Sequence, residues 1–237
     1  LTGMPMSRSK IQRVKNKLEK IQKKQLSIIQ NSDVIHKVEY ILRKKAMVSA
    51  NEKLKVKQHP IEKFADLTFN PNSGTQLKIL LYDQLKLPVL DTTDSGAPAT
   101  STETIEKLIN HTDIPEYKEL LTAIISYSGV GKILSTFIPA FEKAISKDKS
   151  DIVWLHGSFN LGGTVSGRLS SSNPNLTNLP SGSTYGKLVK SCFKTPTGIV
   201  MVGADFNSLE MMIDALTTRD PNKLRVYESG MDSHAFN

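Results

Sequence analysis

Arg168 sits in the run GGTVSGRLSSSNPNLTNLP, residues 162–180, which has neither a helical nor an alternating apolar period and gathers Gly, Ser, Asn and Pro around one guanidinium. A loop of that composition presents backbone N–H groups and short hydroxyl and amide side chains. A guanidinium among them suits phosphates or base edges. A surface turn rich in loop formers has the same composition. Asp205 is the second candidate. It ends the apolar run GIVMVGAD and precedes the helical pattern SLEMMIDAL, so the spacing places it where a buried strand gives way to a helix. Desolvating a carboxylate there is costly, and a cation offsets the cost; magnesium takes oxygen ligands from one or two carboxylates plus substrate phosphates. A helix N-cap is the alternative reading of the same aspartate. Cys192 is the only cysteine, so no internal disulfide forms and no zinc site can be built from cysteines. It reads as a small buried hydrophobe.

The elements that must position these residues are mostly helical. Ile11, Val14, Leu18, Ile21 and Ile28 recur at alternating steps of three and four, with one miss at Gln25, and predict a long amphipathic helix. Asn31-Ser32-Asp33 offers a break and a new N-cap, and Ile35, Val38, Ile41 and Leu42 predict a second helix. Two basic helices in succession suggest a projecting arm. FNPNSGTQLKILLYDQLKLP reads as a turn and a helix that carries Leu77, Leu80, Leu81 and Leu85 inward and stops at Pro88. DTTDSGAPATST lacks an apolar anchor and is a loop, and Thr100 with Glu103 has the spacing of a capping box. A helical pattern from Glu116 to about Ser146 is interrupted at SGVGK, where two glycines permit a bend. DIVWLHGSF is β-like, and SLEMMIDAL puts Leu209, Met212, Ile213 and Leu216 on one face.

The charge is unevenly placed. Residues 1–63 hold 16 Lys and Arg against 5 Asp and Glu, whereas the rest hold 15 against 18. A basic first quarter joined to a slightly acidic remainder points to one element that meets a polyanion; a solvated face with surplus lysines is the plainer alternative. No uninterrupted apolar run approaches the eighteen or so residues of a membrane helix, and the start, LTGMPMSRSKIQ, lacks the apolar stretch of a signal peptide. A cytoplasmic protein with no membrane partner is therefore expected.

TVSGRLSSSNPNLTNLP closely resembles the T-x-[ST]-G-R-L-S-S-x-x-P-N-L-x-N-[IL]-P signature of family A DNA polymerases. ADFNSLEMM is similar to that family's motif A, and GMDSHAFN to its G-x-D-I-H segment. FNPNSGTQL, SGAPATST and GKILSTF resemble, in order and spacing, segments of the family's thumb, so the resemblance runs from about Phe69 to the end. It implies a mixed α/β fold: a mostly helical thumb over residues 1–148, then an incomplete α/β palm of a right-hand polymerase over 149–237. The resemblance also implies roles. Asp205 would be one of two carboxylates holding two Mg2+ ions, with the Phe206 carbonyl as a further ligand. Glu210 would pack under the incoming sugar and select deoxynucleoside triphosphates, and His234 would lie near the triphosphate. Arg168 would enter the minor groove beside the primer terminus. Asn175 and Asn178 would add DNA contacts from the same loop. Asn70, Thr100 and Lys132 would hold the backbone of primer–template DNA, and the basic helices would add salt-dependent affinity.

Some positions depart from the family. Met212 replaces an arginine of motif A, Ser208 stands where glutamine or glycine is common, and Ser128 and Gly182 occupy positions that are often basic. The fingers lysine and the later His-Asp-Glu turn with the second metal-binding carboxylate do not follow Asn237, so the two-ion site is expected to be completed only by residues outside this sequence, and this chain alone is expected to be inactive. Two alternatives stay open: one subunit of a split polymerase whose second polypeptide supplies fingers and remaining palm, and a non-catalytic, polymerase-derived module that binds duplex DNA.

Overall fold

The computed structural model describes residues 3–52, 54, 58–147, 150–180, 184–206 and 208–230. Two compact units divide the chain, Leu1–Pro196 and Thr197–Asn237. His234, Gly182 and the expected boundary at 148/149 lie outside the described residues.

The first unit opens with β1 (Met4–Ser7), which runs directly into α1 (Arg8–Gln30). The three-and-four stepping puts Ile11, Val14, Leu18 and Ile29 on one buried face. Asn31 and Ser32 break the helix, and α2 (Asp33–Asn51) follows with Ile35 and Val38 buried. α1 is not part of a projecting arm. It lies along α5 (Pro115–Thr136) and its stripe reaches two core clusters, so it is the spine of the unit. The physical reason is the stripe itself: fully burying each Leu or Ile contributes about 1.5–3 kcal/mol, which docks the helix whatever its lysines do.

One cluster joins Ile29, Ile35 and Val38 to Leu80, Leu81, Leu108, Leu121 and Ile124. The other joins Met6, Ile11, Val14 and Leu18 to Ile133, Phe141, Val153 and Cys192. α3 (Gly74–Lys78) widens into a π turn over Ile79–Gln84, closed by the Leu85 N–H donating to the Leu80 carbonyl at 2.9 Å. Leu77, Leu80, Leu81 and Leu85 all face inward, as their spacing predicts. α4 (Thr102–Ile109) is capped one residue later than expected: the Ser101 hydroxyl, not that of Thr100, accepts from the Thr104 N–H. Burying Ile105 and Leu108 fixes where the helix begins, and Ser101 is then the residue at its mouth.

α5 also differs from the expectation, because it passes through Gly129 and Gly131 without a break. Gly131 serves close packing instead; a Cβ there would lie 3.2 Å from Gln22 Nε2 on α1. The break comes at Phe137, before α6 (Ile138–Lys147), where Pro139 has no N–H to donate to the preceding turn. By length and composition Pro115–Ser146 could cross a bilayer, but its apolar residues Leu120, Leu121, Ile124, Val130 and Ile133 pack into the core.

β2 (Ile152–Leu155) pairs antiparallel with β1, Met4 opposite Leu155 and Ser7 opposite Ile152. On the other side of β1 the Ser7 N–H donates to the Cys192 carbonyl at 2.9 Å and the Lys194 N–H to the Pro5 carbonyl at 3.0 Å. β3 (Ser158–Asn160) and β4 (Ser170–Ser172) form a second antiparallel pair. α7 (Thr184–Lys190) then adds Val189 to the second cluster.

In the second unit α8 (Leu209–Thr218) and α9 (Pro221–Glu228) bury Ala215 and Val226 and are tied by a Lys223–Asp214 ion pair. GIVMVGAD is not the buried strand its composition predicts. It has no strand assignment, and Val200 and Val202 are 81% and 85% exposed. A strand exists only when a neighbour takes its N–H and C=O groups, and no described strand pairs with this run. α8 forms where expected, yet Leu209, Met212, Ile213 and Leu216 are all exposed.

Candidate functional site

Asn70, Thr100 and Lys132 come from three separate segments, and the first unit draws them together through their neighbours. Asn70 begins the turn before α3: its Oδ1 accepts from the Asn72 N–H at 2.9 Å, its N–H donates to Gln76 Oε1 at 2.7 Å, and its carbonyl accepts from the Ser73 N–H at 3.0 Å. This Asx-type turn presents Asn72 to α5, where the Ser128 hydroxyl donates to Asn72 Oδ1 at 3.0 Å. Ser128 is one helical turn before Lys132. Thr100 closes the other side, because a Cβ on Gly74 would meet its hydroxyl at 3.3 Å. Glu103, in the first turn of α4, feels Lys132 electrostatically. Its carboxyl is held below the usual range first by its own backbone N–H and then by the Ser101 hydroxyl, with Lys132 and Lys107 adding attraction.

The loop carrying Thr100 is built rather than loose. The Tyr82 hydroxyl donates to the Ala99 carbonyl, and the Ala99 N–H donates to the Asp91 carbonyl at 3.0 Å. Asp91 accepts from Lys107 Nζ at 2.8 Å and from the Thr104 hydroxyl at 2.9 Å. Those two bonds, Lys107 first, hold its carboxyl below the ordinary carboxylate range. Burial, with Asp91 nearby, raises the Tyr82 phenol. The result is a rigid surface of hydroxyls, amides and backbone N–H groups with Lys132 exposed among them. Such a surface can hold oxyanions along a line without reading anything beyond their charge and spacing.

Arg168 lies at the end of the hairpin tip between β3 and β4. The Thr164 hydroxyl donates to the Arg168 carbonyl at 2.8 Å and the Gly167 N–H to the Thr164 carbonyl at 3.2 Å. Gly167 has φ +74°, a conformation that favours glycine, so the turn needs the glycine just before the arginine. Arg168 itself is exposed. Beyond β4 the chain passes a cis Asn173–Pro174 bond and folds on itself. Asn175 Oδ1 accepts from the Thr177 hydroxyl at 2.7 Å and from the Asn178 N–H at 3.2 Å, so its first task is to shape this turn; Asn178 is exposed. Leu176 and Leu179 anchor the loop to the second core cluster.

In the second unit Asp205 and Phe206 are exposed in an irregular segment, and Glu210 is exposed in the first turn of α8. The expected setting of Asp205, the end of a buried strand, is thus corrected for the reason given above. Among the described residues no three His, Cys, Asp or Glu gather as a metal site. One carboxylate does not assemble a two-ion site, and the described residues do not fit that group. Asn72, Ser73 and Gln76 were not singled out in the sequence; the only signal was the density of Asn and Ser after Phe69.

The model of DNA polymerase family A matches residues 42–237. DNA polymerase I of Bacillus subtilis is 32% identical over 77% of the chain, and that of Pseudomonas aeruginosa 30% identical over 82%. The thermostable DNA polymerase I of Thermus aquaticus is 33% identical over 70%. The chain spans 19–22% of the length of these relatives. Among solved structures, the POL domain of Pol1 from M. smegmatis, in complex with DNA primer–template and dNTP, superposes with a TM-score of 0.64 at 20% identity, covering 99% of this chain and 34% of that one.

Proposed function

The chain belongs to DNA polymerase family A, and from that premise we propose that its first 148 residues are the thumb and residues 149–237 the first part of the palm of a template-directed DNA polymerase. The observation that carries the reading is the meeting of Asn70, Thr100 and Lys132 on one rigid polar surface, joined through Asn72, Ser128 and Gly74. Backbone phosphates of a primer–template duplex fit it: Lys132 supplies charge, while the α3 turn and the Thr100 loop supply short donors that fix register. Ser128 contributes by holding Asn72 in place rather than by charge.

Arg168, presented by the glycine-dependent tip, reaches acceptors in the minor groove that every base pair shares, so pairing geometry is checked without reading sequence. Asn178 adds a contact from the same loop, and Asn175 contributes through its amide NH2 because its oxygen already shapes the turn. Glu210 stands under the incoming sugar and excludes a 2′-hydroxyl. Asp205 and the Phe206 carbonyl serve the reacting end, and His234 serves the triphosphate.

The test is primer extension by the intact polymerase. Asp205→Ala should abolish extension while leaving duplex binding unchanged, and Glu210→Ala should increase ribonucleotide incorporation. Full extension by Asp205→Ala would overturn the assignment.

A further inference from the structure

α1 carries a second basic surface, separate from the one around Lys132. Arg13, Lys17, Lys20 and Lys24 recur at steps of four, three and four, and all are exposed. The row extends about 16 Å at 1.5 Å rise per residue. Two other cations of the helix are committed to the fold: Lys15 pairs with Glu142 and Glu19, and Arg8 donates to the carbonyls of Ile145 and Ser150, whereas Arg13 in the row bonds only within the helix, to Ser9. Among the described residues none of the four row cations is paired with a carboxylate. The row also looks away from α5. Gln22, which packs beside Gly131, lies roughly 140–180° around the helix from each of the four, at about 100° per residue.

We propose that this row is a second DNA-contacting surface, engaging the phosphates of a duplex segment other than the one held at Asn70, Thr100 and Lys132; it rests on the reading of this chain as DNA-binding. Duplex DNA carries a charge about every 1.7 Å of axis, both strands counted, so a segment of this length holds about ten phosphates, and those on the near side are enough for four cations. One straight stretch of duplex cannot lie on both sides of α1, so the row takes DNA distal to the primer end. The excess of cations in the first 63 residues, 16 against 5, is concentrated on this helix and the next.

The test uses the intact protein and a variant with Arg13→Gln, Lys17→Gln, Lys20→Gln and Lys24→Gln, whose circular dichroism and melting should match the parent because the residues are exposed. Affinity is measured against salt for a long duplex and for a short one of a single helical turn. On the long duplex the variant's slope of log affinity against log salt should be shallower by about 3.6, so between about 50 and 200 mM salt the parent loses about 150-fold more affinity than the variant. On the short duplex the two should agree, whereas Lys132→Ala weakens binding to both. An unchanged slope on the long duplex, with Lys132→Ala still effective, would reduce the row to a solvated face and overturn the proposal. Polyglutamate binding that is lost in the variant, with DNA slopes unchanged, would overturn it in favour of an acidic protein partner. If neither variant alters DNA binding, the reading of the Lys132 surface fails as well.

Discussion

Replacing Gly157 by alanine should disturb the Arg168–Asn178 loop from beneath. Gly157 joins β2 to β3, and a Cβ there would stand 2.9 Å from Leu176 Cδ1, 3.2 Å from Leu176 Cγ and 3.2 Å from the Pro174 carbonyl oxygen. Its φ is not in the left-handed region, so the added methyl acts through packing alone. Apolar carbons rest about 3.5–4.0 Å apart, which leaves a deficit of about 0.6–1.1 Å that Leu176 must absorb by moving out of the core cluster it anchors. Overpacking of this kind costs about 1–3 kcal/mol. For a chain of this size that lowers the melting temperature by about 2–4 °C per kcal/mol. Because the Leu176 N–H is held by the Ser171 hydroxyl at 3.0 Å, displacement of Leu176 also tilts the turn shaped by Asn175. Urea unfolding of Gly157→Ala, Leu176→Ala and the double variant forms a cycle. The double variant should be more stable than the sum of the singles by at least about 0.5 kcal/mol, since removing Leu176 carbons relieves the clash. Additive singles, or a Gly157→Ala that matches the parent, would refute the packing argument.

Phe141 is fully buried between Phe137 and Phe193, with ring centroids at 6.5 and 6.1 Å, so Phe141→Ala should destabilise the chain by about 3–5 kcal/mol in urea unfolding. Burial pushes the Cys192 thiol up to about 11, so an aromatic disulfide reagent at neutral pH should label it only after denaturant is added; prompt labelling of the native chain would contradict its placement in the core. Asp91, Glu103 and Asp220 have carboxyls held low by hydrogen bonds, so their stabilising contribution is complete above the unfolded carboxylate pKa of about 4 and fades as pH falls through the folded values. Melting temperature should hold from neutral to mildly acidic pH and fall below about pH 4, less steeply in Asp91→Asn.

Where a residue's environment is set by its own helix, the sequence was readable. The Ile11, Val14, Leu18 stripe and the inward leucines of 77–85 follow from period alone. Readings failed where the deciding partner is distant. Nothing near α1 says that its stripe reaches two clusters, and nothing near Gly131 says that Gln22 occupies the space a side chain would take. The run at 198–205 has strand composition, but pairing partners, not composition, make a strand. For the site, the glycine-rich tip and Arg168 were visible as a pattern, whereas the Asn72–Ser128 bond spans 56 residues and no local signal marks it. The cap at Ser101 instead of Thr100 shows the same limit at small scale, since core burial of Ile105 chose between two adjacent hydroxyls.

The most direct measurement is hydrogen exchange of the chain with and without a primer–template duplex. The account expects slowed exchange at 70–74 and 98–101, where Asn70 and Thr100 flank Lys132, and at 162–178 around Arg168. Binding that leaves both regions unchanged would contradict it.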